Sequence, residues 1–300
     1  MKSSSPTKVT RLSANFGPEE MSLKYKEIIS TLNKREGKNP SQDYYQYQGF
    51  WFHLPFLETT LCMQDNFKAK PSDIFLCSSV KTGTTWLKAL AFSIMTRDLF
   101  DDSTNPLLTK VPHECLPFLE SGYASNANFL DTELPLLATH LPYTCLPQSV
   151  LQSDCKIIYI CREPKDTFVS WWHYMQRLRE SVDIFTADSV PLEEEFKLFC
   201  EGIYAYGPYW DHVIEYKKAS VDRPDRVFFL KYEDLKSDTL CYVKKLAEFM
   251  GKPFSKEEEN QGVAEKIVAR CHFESLSNLE VNKSGLIHPN SWTIKNSAFF

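Results

Sequence analysis

No apolar run in this 300-residue chain approaches the length that spans a bilayer, and the opening MKSSSPTKVTRLSANFGPEE lacks the apolar core of a secretory leader. Nine cysteines, at positions 62, 77, 115, 145, 155, 161, 200, 241 and 271, never form a C-x-x-C pair. Several lie in apolar runs and read as reduced core thiols. His113, His140, His173 and His212 show no zinc spacing either, so no metal is expected. These absences together give a cytosolic address as the expectation. Positive charge is not in surplus: the net charge is −5, which offers no basic stripe for nucleic acid or an anionic membrane surface. An anionic ligand would need a local cluster of cations.

What is present is an apolar fraction of 43%, enough for a substantial core, with no internal repeat and no low-complexity tract. Residues 1–40 are polar, with one helix predicted over EEMSLKYKEIISTL and a loop over NKREGKNPSQ, and read as an appendage to the domain that fills 41–300. YYQYQGFWFHLPFLETTL is dense in aromatics and reads first as a wall packed on the core, second as part of a substrate pocket. From residue 73 short apolar runs alternate with amphipathic stretches. DIFLCSS (73–79), LPLLATH (134–140), CKIIYICR (155–162) and RVFFLKY (226–232) suit strands buried on both faces. Helical patterns follow in TTWLKALAFSIMTR, PKDTFVSWWHYMQRL, LEEEFKLFCEGIYAYGPYWDHVIEYKK and TLCYVKKLAEFM. Gly251 is the expected residue just past the last of these, and Ser255 with Glu258 predicts a capping box for KEEENQGVAEKIVARC. The alternation implies an α/β fold: a single domain with a central parallel sheet and helices on both faces.

Ligands of such sheets sit outside the carboxyl ends of the strands. Those ends carry Lys81-Thr82-Gly83-Thr84-Thr85-Trp86, then His140, Arg162 and Tyr232. A loop that follows a strand and opens a helix offers free amides and the positive end of the helix dipole, so it favours a phosphate-like anion. Here lysine precedes the glycine, which departs from the Walker order and argues against a P-loop kinase. Arg162 stands just before a helix with Pro164 at its first position, and Ser170 lies two turns in, so the two reach one anion only along that helix side. His140 reads as a structural histidine or as a general base, the role for which imidazole suits neutral pH. WWHYMQRLRE reads as packing plus solvated charge, and LEEEF as an acidic first helical turn.

Taken together, KTGTTWLKAL, THLPYTCLP, CREPKDTFVSWW and FLKYEDLKSD resemble the cytosolic sulfotransferases in order and separation. YQYQGFW and LFDDSTNPLLTKVPHECLP are similar to the plant branch of that family. The resemblance, which runs from about residue 20 to the last, implies transfer of a sulfuryl group from 3′-phosphoadenosine-5′-phosphosulfate to a hydroxyl of a small metabolite, with no metal. It implies that Lys81, Thr82, Gly83, Thr84, Thr85 and Trp86 form a P-loop-like cradle for the phosphosulfate, with Lys81 also on the transferred or leaving oxygens. Trp86 and Phe273 match aromatics that sandwich adenine, Arg162 and Ser170 a pair that binds the 3′-phosphate, and Tyr232 an adenosine contact. His140 matches the base that takes the acceptor's proton.

Four departures accompany the match. Ser79-Val80 replaces an aromatic-proline pair before the lysine, which predicts a looser loop that keeps its amides. Ala138 stands where many animal members carry a lysine, two residues before the base. Cys271-His272 replaces a hydroxyl-bearing pair before Phe273. The sequence stops at NSAFF, where the family continues with an Arg-Lys-Gly run and a Gly-Asp-Trp, and the expectation is a chain truncated there. Two functions follow: a sulfotransferase for flavonols, steroids, desulfoglucosinolates or hydroxylated jasmonates, or a catalytically inactive relative that binds ligands weakly. Oligomeric state has no sequence signal.

Overall fold

The four long apolar runs become β4 (Ile74–Ser78), β5 (Leu136–Thr139), β6 (Lys156–Cys161) and β7 (Val227–Lys231), all parallel, in the order β5-β4-β6-β7. The computed structural model describes residues 18–37, 42–116, 118–120, 134–181, 191–287 and 294–300. The expected N-terminal segment 1–17 and part of the expected loop, 38–41, lie outside the described residues.

Alternation along the strands divides the interior in two. Phe75, Cys77, Leu137, Ile157 and Tyr159 face one core, while Ile74, Leu76, Leu136, Ile158 and Ile160 face the other. Helices Leu54–Asn66, Pro164–Ser181 and Tyr209–Asp222 cover the first face, and Thr84–Thr96, Thr239–Phe249 and Val263–Arg270 cover the second. Each fully buried leucine or isoleucine contributes about 1.5–3 kcal/mol, so two filled faces fix the strand register firmly. All nine cysteines are free thiols, most of them buried, with Cys200 exposed.

A second sheet forms before the first. β1 (Asn33–Arg35), β2 (Tyr44–Tyr47) and β3 (Phe50–His53) run antiparallel, so part of the predicted loop NKREGKNPSQ is strand. Phe50 and Phe52 are buried in the first core, as a wall should be, and helix Pro18–Ser30 lays Tyr25 and Ile29 against the same core. β8 (Leu286–Ile287) and β9 (Ile294–Lys295) form a small antiparallel pair near the last residues.

Two predicted helices are broken. The stretch from Leu192 to Lys218 divides into Leu192–Cys200 and Tyr209–Asp222, because Pro208 offers no amide and opens the second piece. KEEENQGVAEKIVARC divides into Lys256–Asn260 and Val263–Arg270 at Gly262, which takes φ 66° and starts the second piece. The Ser255–Glu258 capping box forms as predicted, and the Gly251 amide bonds the Glu248 carbonyl at 3.0 Å to close Thr239–Phe249.

Candidate active site

The sheet order sets the place of the site. The chain leaves β4 toward β5 and then crosses back to β6, so the crevice opens between the carboxyl ends of β4 and β6. The loop after β4 carries Lys81 and the end of β6 carries Arg162, one on each side of that crevice.

Lys81 at φ 65° and Gly83 at φ 108° are both left-handed, and the chain turns through them into helix Thr84–Thr96, whose first amides have no partner within the helix. Only glycine fits at 83. A Cβ there would stand 2.7 Å from Tyr232 Cδ2 and 3.3 Å from Ile160 Cδ1. Thr82 is fully buried and does not line the cavity; its hydroxyl lies 2.9 Å from the Ser79 carbonyl and 3.0 Å from the Ile160 carbonyl, so its side chain fastens the loop. Tyr204 Oη donates to the Val80 carbonyl at 2.6 Å. These anchors hold the loop where the sequence departure at Ser79-Val80 suggested slack.

A cavity of about 950 Å³ opens along this edge, and Lys81, Gly83, Thr84, Thr85, Trp86, His140, Arg162, Ser170, Tyr232 and Phe273 all line it. That volume is at the upper end for ligand pockets and has room for a nucleotide and a second small molecule. Trp86 meets Tyr232 edge-on at 5.6 Å, and Phe273 is 60% exposed, its ring 6.4 Å from that of Phe300.

His140 directly follows β5, with its ring 4.4 Å from Phe118 and 5.8 Å from Tyr206. Its Nδ1 lies 2.8 Å from the Ser78 carbonyl, which can only accept, so Nδ1 carries the hydrogen and Nε2 holds the free lone pair. Enclosure by apolar walls is the main reason its pKa falls to about 3, and the charges of Lys88 and Lys81 push the same way. The ring is therefore neutral at physiological pH. Glu120 fixes its backbone, accepting from the His140 amide at 2.6 Å and from the Thr139 hydroxyl at 2.8 Å. Only 2% exposed, Glu120 keeps its second carboxylate oxygen buried without a partner among the described residues, and burial pushes its pKa up.

The cations are poorly neutralised. Burial first, then Arg177 and Arg162, pull the Lys81 ammonium down to about 8, and among the described residues its Nζ meets only the Ala298 carbonyl at 3.5 Å and the Tyr174 ring at 4.6 Å. Among the described residues Arg162 has one loose ion pair, 3.7 Å to the exposed Asp166, and its buried Nε has no partner. Its guanidinium also lies 4.8 Å over the Tyr232 ring. An unpaired buried N–H on a cation is costly, and an anion in the crevice would satisfy it.

Several residues of the site escaped the sequence reading. Tyr174 and Arg177, from the stretch read as packing and solvated charge, line the cavity, and Arg177 donates to the Phe300 carbonyl at 2.6 Å. His113 and Glu120 line it too, and His53 and Phe56 bring the aromatic segment to its rim. Behind the wall, Lys88 is fully buried, and burial pulls its pKa well below the ordinary value while the charge of Glu120 pushes it up. One signal was available: Lys88 is the single charged residue in an otherwise apolar helical pattern. Among the described residues no group of three or more His, Cys, Asp or Glu could hold a metal ion, and no helix is long and apolar enough to cross a membrane.

A family profile described as a sulfotransferase domain matches residues 71–300. A protein of Flaveria bidentis described as flavonol sulfotransferase-like is 55% identical over 241 residues, covering 80% of this chain and 77% of its own. Among solved structures, an Arabidopsis thaliana putative steroid sulphotransferase superposes with a TM-score of 0.72 at 39% identity, over 89% of this chain and 90% of its own. A mouse sulfotransferase complexed with PAP superposes with a TM-score of 0.60 at 27% identity, over 78% of this chain and 76% of its own.

Proposed function

Since the chain belongs to the sulfotransferase family, we propose that it transfers a sulfuryl group from 3′-phosphoadenosine-5′-phosphosulfate to a hydroxyl of a small metabolite. The observation that carries this reading is one cavity holding two under-neutralised cations, Lys81 and Arg162, and a neutral imidazole whose Nε2 is free. The cations ask for a doubly anionic ligand. The imidazole asks for a proton.

In this reading the donor supplies the activated sulfuryl group with its own leaving group, so the protein supplies position and charge. The amides of the Lys81–Thr85 loop and the Lys81 ammonium hold the 5′ end and neutralise charge on the leaving oxygen. Arg162 and Ser170 hold the 3′-phosphate, and Trp86, Tyr232 and Phe273 the adenosine. An anion beside His140 offsets the Lys81 and Lys88 charges that depress its pKa, which raises its affinity for the acceptor's proton in the loaded site. The apolar surroundings of His140, with Phe56, Phe118 and Tyr206 on the cavity wall, suit an aromatic or alicyclic alcohol. The similarity to a flavonol sulfotransferase-like protein supports a flavonol as the first acceptor to try.

Incubation with radiolabelled donor and a panel of flavonols, steroids and other hydroxylated metabolites tests the proposal. Labelled product is expected with at least one acceptor, and none with His140→Ala or Lys81→Ala. No product, together with a thermal shift from PAP no larger than that from AMP, overturns it.

A further inference from the structure

Thr85 and Lys88 are three apart on helix Thr84–Thr96 and therefore share a face, and His113 of the short helix Pro112–Cys115 spans them. His113 Nε2 lies 3.1 Å from Thr85 Oγ1, and His113 Nδ1 lies 3.0 Å from Lys88 Nζ. Lys88 is 0% exposed, does not line the cavity, and keeps its Nζ 3.2 Å from the centre of the Phe118 ring. Burial pulls the Lys88 pKa well below its ordinary value, and the charge of Glu120 pushes it back up. In its charged form Nζ can only donate, and the ring face takes one of its N–H hydrogens. A fully buried lysine set behind the wall of the site, with its Nζ aimed at one imidazole nitrogen, calls for a role that packing does not supply.

We propose that Lys88 and His113 are positioning residues of the donor site, which rests on the reading of the Lys81–Trp86 loop as the cradle of the donor's 5′ end. Lys88 donates to His113 Nδ1 and so fixes the imidazole as its Nε2–H tautomer. That N–H donates to a lone pair of Thr85 Oγ1. The Thr85 hydroxyl hydrogen is then left to point into the cavity as a donor to an anionic oxygen. Without Lys88 the tautomer is free to reverse, Thr85 donates to His113 instead, and a lone pair faces the anion. Burial holds the proton affinity of His113 well below its ordinary value, and the Lys88 charge lowers it further, so the relay works with a neutral ring.

Calorimetric titration with adenosine 3′,5′-bisphosphate and with adenosine 3′-phosphate, which lacks the 5′ group, tests the assignment. Lys88→Met and His113→Leu should each bind the bisphosphate about tenfold more weakly, the worth of one charge-assisted hydrogen bond, and the monophosphate as wild type does. His113→Gln, whose amide N–H can replace Nε2–H, should stay within about threefold of wild type. Lys88→Met combined with Thr85→Val should bind no more weakly than Thr85→Val alone. Melting of Lys88→Met should be unchanged or higher, because a buried cation has been removed. Equal losses for both ligands, or no loss for either, overturn the positioning role while the wild type still prefers the bisphosphate. A wild type that binds the two ligands equally overturns the reading of the loop and the proposal with it.

Discussion

His140 donates its Nδ1 hydrogen to the carbonyl of Ser78 at 2.8 Å, so the last residue of the strand that launches the anion loop also sets the tautomer of the proposed base on the neighbouring strand. Loop and base are thereby referenced to one strand end. His140→Ala should lower turnover by about 10² to 10⁴ while leaving the affinity for PAP within a few-fold of wild type. Steady-state kinetics beside a PAP titration separates the two; loss of affinity in step with turnover would mean that His140 holds the nucleotide and does not move a proton.

Gly83→Ala should be severe for a residue that makes no side-chain contact. The new methyl meets Tyr232 and Ile160 at a left-handed φ of 108°, a combination worth about 1–3 kcal/mol of strain and displacement. A melting temperature several degrees lower and loss of the PAP-induced shift are expected. A variant with unchanged melting and unchanged shift would show that the loop tolerates another shape.

Lys81 gives the donor site a pH limit. Its ammonium is pulled to about 8 in the free protein, so below that pH the cation stands ready, and above it the protein must first take up a proton to bind the anion. PAP affinity should fall by up to about tenfold per pH unit above 8, with proton uptake visible as a buffer-dependent heat. Lys81→Met should bind weakly with a flat profile, and a wild type whose affinity is level from pH 7 to 10 would refute the assignment.

His212 should make the fold acid-labile. Its Nε2–H donates to the His140 carbonyl at 3.0 Å, Tyr159 Oη donates to its Nδ1 at 2.9 Å, and burial pushes its pKa down to about 4. The unfolded chain takes the proton near pH 6.5 and the folded one does not, so this residue's share of stability is full above 6.5 and is lost as pH falls toward 4. The slope from it alone approaches about 1.4 kcal/mol per pH unit in that window. Urea unfolding at pH 7.5, 6.0 and 5.0 should show a steeper loss for wild type than for His212→Gln; parallel slopes would contradict the burial of a neutral ring.

The sheet and the strand-end residues were legible because both follow from local pattern. Continuous apolar runs marked β4 to β7, and parallel strands necessarily bring their carboxyl ends, with His140, Arg162 and Tyr232, to one edge. Helix interruptions at Gly262 and Pro208 were less legible, since helical periodicity continues across a break that a single backbone angle causes. Lys88, His113, Glu120 and Arg177 were missed because their roles arise from contacts between distant segments: Thr139 meets Glu120 across 19 residues and Lys88 meets His113 across 25. A lone charge such as Lys88 in an apolar helix is the one such case that the sequence itself flags.

The fastening of Thr82 to the Ile160 carbonyl has one more consequence. Arg162 lies two residues beyond Ile160 along the chain, so the backbones that carry the two cations of the cavity are tied together at one point. If the two cations hold the two ends of the proposed donor, an anion that carries all its charge at one end should engage only one of them, and it should bind more weakly than the bisphosphate.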